Sequence, residues 1–223
     1  MRSYEEVLDM LARELQRVGD AFAGLSADEW SMQTRLEPFD TGRPRWTVFE
    51  LAGHFDISIG LTRMLIANQE AGQPGRDRVS FFIFPRAEVA PTVYEYAYTM
   101  VEGKTPAEMP GVLTETFSKT IAESRSLPPG TVGSGYYALM RLDEFVASRI
   151  VEAVVHGMDL TDATGRDSVA TAEGIAFTAA LLDELLARRT VAGRPADLDD
   201  DTAWIRAASG RAPHLDPRLP LIG

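Results

Sequence analysis

The 223-residue chain is 45% hydrophobic and 25% charged, and 33 acidic against 22 basic residues give it a formal charge of −11. This balance predicts a folded globular protein and opposes a phosphate-tracking surface, so nucleic acid is not expected as a partner. The sequence has no cysteine, which removes disulfides, thiolate metal sites and a protein-borne thiol nucleophile; any thiol chemistry needs a thiol from outside.

Met1 to Glu6 lack the apolar run of a signal peptide, and no stretch reaches the ~18 apolar residues of a membrane span. The expectation is a cytoplasmic protein without a membrane partner. Ser3 and Glu6 form a capping box that opens a first helix, with Val7, Leu8, Leu11, Leu15, Val18 and Phe22 spaced by three and four. Ser26 and Glu29 repeat the box and predict a helical turn around Trp30, before Pro38, Gly42 and Pro44 break the pattern. Thr47 and Glu50 cap a second helix over 48–68, whose stripe runs through Leu51, His54, Phe55, Ser58, Leu61 and Leu65.

Gly72, Pro74 and Gly75 end that helix, and 79–84 reads as either a short strand or a packed loop. The segment 93–102, with tyrosines at 94, 96 and 98, fits a short helix or an alternating strand. Thr105, Pro106 and Glu108 place an N-cap, a first-turn proline and a capping glutamate before a helix through Val112, Leu113, Phe117, Ile121 and Ser124. Pro128 to Gly130 stop it. The clearest helical pattern spans about 139–164 and is closed by Gly165, and a further long helix runs from Thr171 to Arg189. After the acidic linker 197–201 comes a short helix at Trp204 and Ile205, then a tail, 211–223, without periodicity. Four long amphipathic helices with no competing strand series predict an all-α four-helix bundle over residues 1–166, with 167–223 as a helical extension and tail packed on it.

Two of the three histidines, His54 and His156, fall on inward faces of long helices. Glu152 and His156, four apart, project from one face within reach of a single ion, and His54 can supply a third ligand from a facing helix. Two imidazoles and a carboxylate with open positions suit catalytic Zn²⁺ and non-haem Fe(II) equally. Two satisfied core histidines would give the same pattern. Arg149, one turn before Glu152, can clamp a substrate carboxylate as a catalytic residue, or can neutralise and orient Glu152. Asp159, three after His156, can fix the tautomer of that imidazole or serve a following loop instead. Asp56 faces away from His54. The three tryptophans read as packing anchors, the tyrosines 94, 96 and 98 and the run 81–84 as packing or a substrate mouth, and His214 as exposed. Gly133-Ser134-Gly135 reads as a loop and not a nucleophile elbow.

The segment Trp46-Thr47-Val48-Phe49-Glu50-Leu51-Ala52-Gly53-His54 resembles the capped helix start and metal histidine of the DinB-like superfamily, in its mycothiol-dependent maleylpyruvate isomerase branch. Ser148-Arg149-Ile150-Val151-Glu152-Ala153-Val154-Val155-His156-Gly157-Met158-Asp159-Leu160 is similar to that branch's second signature, an Arg, a metal Glu, a metal His and an Asp-Leu pair. The resemblance covers residues 3 to 165. It implies a DinB-like bundle that holds a divalent metal, usually zinc, through His54, Glu152 and His156. It also implies mycothiol as thiol cosubstrate and an isomerase or S-transferase acting on a small electrophile or unsaturated acid. As an isomerase, the thiolate would add to a conjugated double bond, the adduct would rotate, and elimination would release the other geometric isomer. The chain departs from that branch after residue 166, where the isomerases carry a further α/β domain. Two rivals remain open at this stage: a metal-dependent hydrolase of the same fold, and a non-catalytic metal- or ligand-binding stress protein. Homodimerisation through the outer helix faces is compatible with the pattern.

Overall fold

A computed structural model describes residues 2–38, 42–84, 86–134 and 138–222. Among them are seven α-helices: α1 (Tyr4–Ala23), α2 (Val48–Ala67), α3 (Arg86–Val101), α4 (Met109–Arg125), α5 (Leu142–Thr164), α6 (Ala172–Arg189) and α7 (Asp201–Ala208). One two-stranded antiparallel ribbon, β1 (Val132–Ser134) with β2 (Leu139–Arg141), pairs Gly133 with Met140. The fold is mainly helical, as expected, and no helix is long and apolar enough to cross a membrane.

The capping boxes at Ser3 and Thr47 form as the sequence predicts, the side chain of Glu6 or Glu50 returning to the cap residue's N–H. The pair at Ser26 and Glu29 opens only the single 3-10 turn Glu29–Ser31. Val79 to Phe84 is a packed loop and not a strand: it holds a 3-10 turn, Ser80–Phe82, with Val79, Phe81 and Phe82 buried, and Asp77 accepts from the N–H groups of Val79 and Ser80. Residues 93–101 are helical, inside α3, and Glu102 lies in the turn that follows. Glu108 does accept from the Thr105 N–H, but Pro106 to Glu108 form a turn and the helix proper starts at Met109.

The largest difference lies at the start of α5. Leu139 to Arg141 belong to β2, so the helix begins at Leu142 with Asp143 and Glu144 in its first turn. Leu139 and Met140 continue the apolar pattern of the helix, so hydrophobicity alone does not mark the change. The ribbon meets backbone needs at the end of α2, where Ser134 N–H donates to Asn68 O and Glu70 N–H to Val132 O. Gly133 and Ser134 are thus strand residues; Gly135 lies outside the described residues.

α1 packs on α4 and α5, and α2 packs on the same two, so four helices close a ring around one core. Leu8, Leu11, Leu15, Phe22, Leu51, Phe55, Ile59, Leu113, Phe145, Ile150 and Val154 fill it, all without exposed surface or nearly so. α3 lies along α2, where Gly53 permits the approach: a Cβ there would stand 2.5 Å from Ala97 O. α6 rests on α5 and α1, α7 on α6, and Trp204 of α7 donates its indole N–H to Ala179 O at 3.3 Å. Arg206 of α7 forks onto Asp162 of α5 with two contacts of 2.7 Å. His214 is not simply exposed: it is partly buried and faces Asp197 at 3.1 Å.

Candidate metal centre

His54 sits two turns into α2, whose start is fixed by the Thr47 cap, while Glu152 and His156 occupy successive turns of α5. Contact between α2 and α5 brings the three together across the core. One ligand atom from each lies within 4.8 Å of the others. His54 Nε2 stands 3.4 Å and His156 Nε2 3.5 Å from the same oxygen, Glu152 Oε2. Two ligand atoms, each about 2.0–2.1 Å from a tetrahedral zinc, would be about 3.4 Å apart. The spacing therefore fits a small divalent ion.

The surroundings support that fit. His156 Nδ1 lies 2.9 Å from Asp159 Oδ2, which turns Nε2 toward Glu152 and His54. Asp159 is fully buried and accepts a fork from Arg211, at 3.1 Å from Nε and 2.6 Å from Nη2. His54 stacks near Trp46, with ring centroids 5.1 Å apart, and Trp46 in turn stacks on Tyr94 at 4.6 Å. Its Nδ1 is buried and has no hydrogen-bond partner. Ligation through Nε2 would put the proton on this nitrogen and leave it unmet, at a cost of about 1–3 kcal/mol, whereas His156 has Asp159 as acceptor.

Burial lowers the pKa of His54, and the neighbouring His156 lowers it further, so this ring is neutral and free to donate a lone pair. At His156 burial acts in the same sense, but the Asp159 and Glu152 contacts outweigh it and raise the value. Burial alone would push the Glu152 carboxyl up; contacts with both histidines and the charge of Arg149 hold it well below the usual range. A carboxylate at the junction of two imidazoles is the charge distribution that a cation would neutralise.

Arg149 is placed at the site and is 1% exposed. Its Nη1 donates to Ser58 O at 3.0 Å, its Nε and Nη2 to Ser148 Oγ, and Nη2 stands 4.0 Å from Glu152. Phe81 and Phe145 cover the guanidinium, 4.6 and 4.5 Å from their ring centroids. These contacts match an orienting group for Glu152 more closely than a mobile clamp. Asp56 bonds Thr116 and stays out of the site, as expected.

A cavity of about 350 Å³ opens beside the three ligands, walled by α2, α3, α5 and the 80–84 turn. Phe81, Phe82, Phe84, Tyr94 and Tyr96 do line this mouth, whereas Tyr98 points to Pro44. Arg211 and Ile222 bring the tail to the same wall. Sequence reading missed Arg211 because its partner lies 52 residues away and no local spacing announces the pair. Comparisons with protein-family models, curated proteins and solved structures give no match for this chain.

Proposed function

We propose that the chain is a DinB-like four-helix bundle over residues 1–166 with 167–223 packed on it, and a metalloenzyme that uses an external thiol. His54, Glu152 and His156 would hold one divalent ion, zinc in this reading. The cosubstrate would be a low-molecular-weight thiol of the mycothiol type in the cytoplasm, and the reaction isomerisation or S-transfer on a small electrophile such as an unsaturated acid. One observation carries the reading above all: three ligand atoms within 4.8 Å of one another, with no fourth protein ligand among the described residues, open onto a cavity. Structural zinc is generally closed by four protein ligands, so three and a cavity favour chemistry.

When bound, the ion supplies a positive charge that lowers the pKa of a thiol or water beside it. The protein's own groups do the rest. Asp159, clamped by Arg211, holds the proton of His156 on Nδ1 and keeps Nε2 a donor of electrons. The contacts with His156 and His54, and then the charge of Arg149 at 4.0 Å, keep the Glu152 carboxylate ionised. The apolar residues of the wall would favour a weakly hydrated nucleophile over hydroxide. Since the chain has no cysteine, the thiol has to come from solution.

The test is to incubate zinc-loaded and metal-stripped protein with a thiol and a panel of unsaturated acids and other electrophiles, following free thiol and product. Turnover that needs both metal and thiol supports the reading. Product formed with metal but equally fast without thiol would replace it with the hydrolase.

A further inference from the structure

The cavity beside the ligands is divided in its chemistry. Its ionisable side chains, His54, Arg149, Glu152, His156 and Arg211, cluster at one end through their mutual contacts. Elsewhere the wall is apolar: Ile57 and Leu61 of α2, Phe82 and Phe84 of the following turn, Val93 of α3 and Ile222 of the tail. The rim continues this character. Met64 and Tyr96 line the cavity although 36% and 40% exposed. Large apolar side chains are ordinarily scattered singly on a surface, so two on the wall of one cavity mark a path for an apolar ligand.

Among the described residues, the two cations of the wall, Arg149 and Arg211, are both engaged by the protein. Arg211 gives Nε and Nη2 to Asp159 and Nη1 to Ser209 O. Arg149 is held by Ser58 and Ser148 between two phenyl rings. A ligand carboxylate can be met by an ion at the three ligands, but a second carboxylate on the same molecule would lie in the apolar part, stripped of water and, among the described residues, without a cation. That placement is costly.

The geometry points to a substrate with a single polar, metal-seeking head and an apolar alkyl or aryl body that fills the cavity and reaches the Met64–Tyr96 rim. A small dicarboxylic acid does not suit the site. Only the head's placement rests on the metal-centre reading; the preference for an apolar body follows from the walls alone.

The test is calorimetric titration of butanoate, hexanoate, octanoate and adipate into both zinc-loaded and metal-stripped protein. Each added methylene should tighten binding about 3- to 4-fold, the equivalent of about 0.8 kcal/mol, in both forms. Adipate, which differs from hexanoate only in its second carboxylate, should bind about 10-fold weaker or worse. Zinc should strengthen every monocarboxylate by a common factor; loss of that factor with the chain-length dependence intact would refute the metal reading and leave this one standing. In Ala90→Phe, which narrows the wall, the chain-length gain should shrink while zinc uptake is unchanged. Affinity that is flat along the series, adipate binding as tightly as hexanoate, or an undiminished gain in a folded Ala90→Phe protein would each overturn the inference.

Discussion

Replacing Arg211 with alanine tests how far the tail supports the metal centre. Its guanidinium forks onto Asp159, which has no exposed surface and stands 2.9 Å from His156 Nδ1. Burial by itself would raise the Asp159 pKa; the Arg211 charge, then the His156 contact, overcome this and bring it from 3.8 to about 2. That depression corresponds to about 2 kcal/mol of stability at neutral pH. Removing one partner of a buried pair can cost about 3–5 kcal/mol. With His156 still in place, about 2–4 kcal/mol is expected, read by urea unfolding of metal-stripped protein. Because the folded value lies below the unfolded one, the contribution is complete above the ordinary value of 3.8 and is lost as the pH falls toward about 2. The gap between wild type and variant should therefore be steady from neutral pH to about 5 and close on further acidification. Zinc affinity, measured by competition with a chromophoric chelator, should fall about 10- to 100-fold, as for other groups that orient a ligating histidine. Arg211→Lys keeps the charge but not the fork, so it should recover only part of both losses. Wild-type stability and zinc affinity in Arg211→Ala would mean that the fork onto Asp159 supports neither the fold nor the site.

Gly53→Ala should cost about 1–3 kcal/mol in the same unfolding assay, because the added methyl meets Ala97 O at 2.5 Å and Val101 Cγ1 at 2.8 Å. A neutral effect would contradict the close approach of α2 and α3. Glu14 is buried, and burial raises its pKa despite the hydrogen bonds that it accepts from Thr171. A raised folded value makes the ionised form a liability above it, so wild type should gain stability relative to Glu14→Gln as pH falls from 7 toward 4.5, the ordinary glutamate value. A difference independent of pH would show that Glu14 titrates normally. Trp204→Ala should cost about 3–5 kcal/mol, since the indole is wholly buried against α6, with the Arg194 guanidinium 5.2 Å from its ring. A loss below about 1 kcal/mol would mean that α7 is not anchored there.

Much of this arrangement is written locally. Capping boxes at Ser3 and Thr47 start α1 and α2 where the sequence says, since each is a contact between residues three apart. Glu152, His156 and Asp159 lie on one helix, so their mutual geometry follows from helical pitch, and His54 needs only that α2 and α5 pack. The two sides of the cavity are harder to foresee. The tyrosine-bearing segment satisfies helix and strand periodicity equally, and only its packing on α2 decides for α3. The β1–β2 ribbon is invisible because Leu139 and Met140 are as apolar as the helix that follows, and what selects a strand is the unmet backbone of residues 68–70. Arg211 escapes for the same reason, its role being set wholly by a partner far away in the chain.

Whether His54, Glu152 and His156 hold an ion is decided by elemental mass spectrometry of the tag-free protein, run beside His54→Ala and His156→Ala. Wild-type protein should carry one divalent ion per chain, lost in both variants while helical content persists, because the core is formed by the aliphatic stripes of α1, α2, α4 and α5. Wild-type protein that remains free of metal after reconstitution with zinc, or variants that retain a stoichiometric ion, would contradict this ligand set.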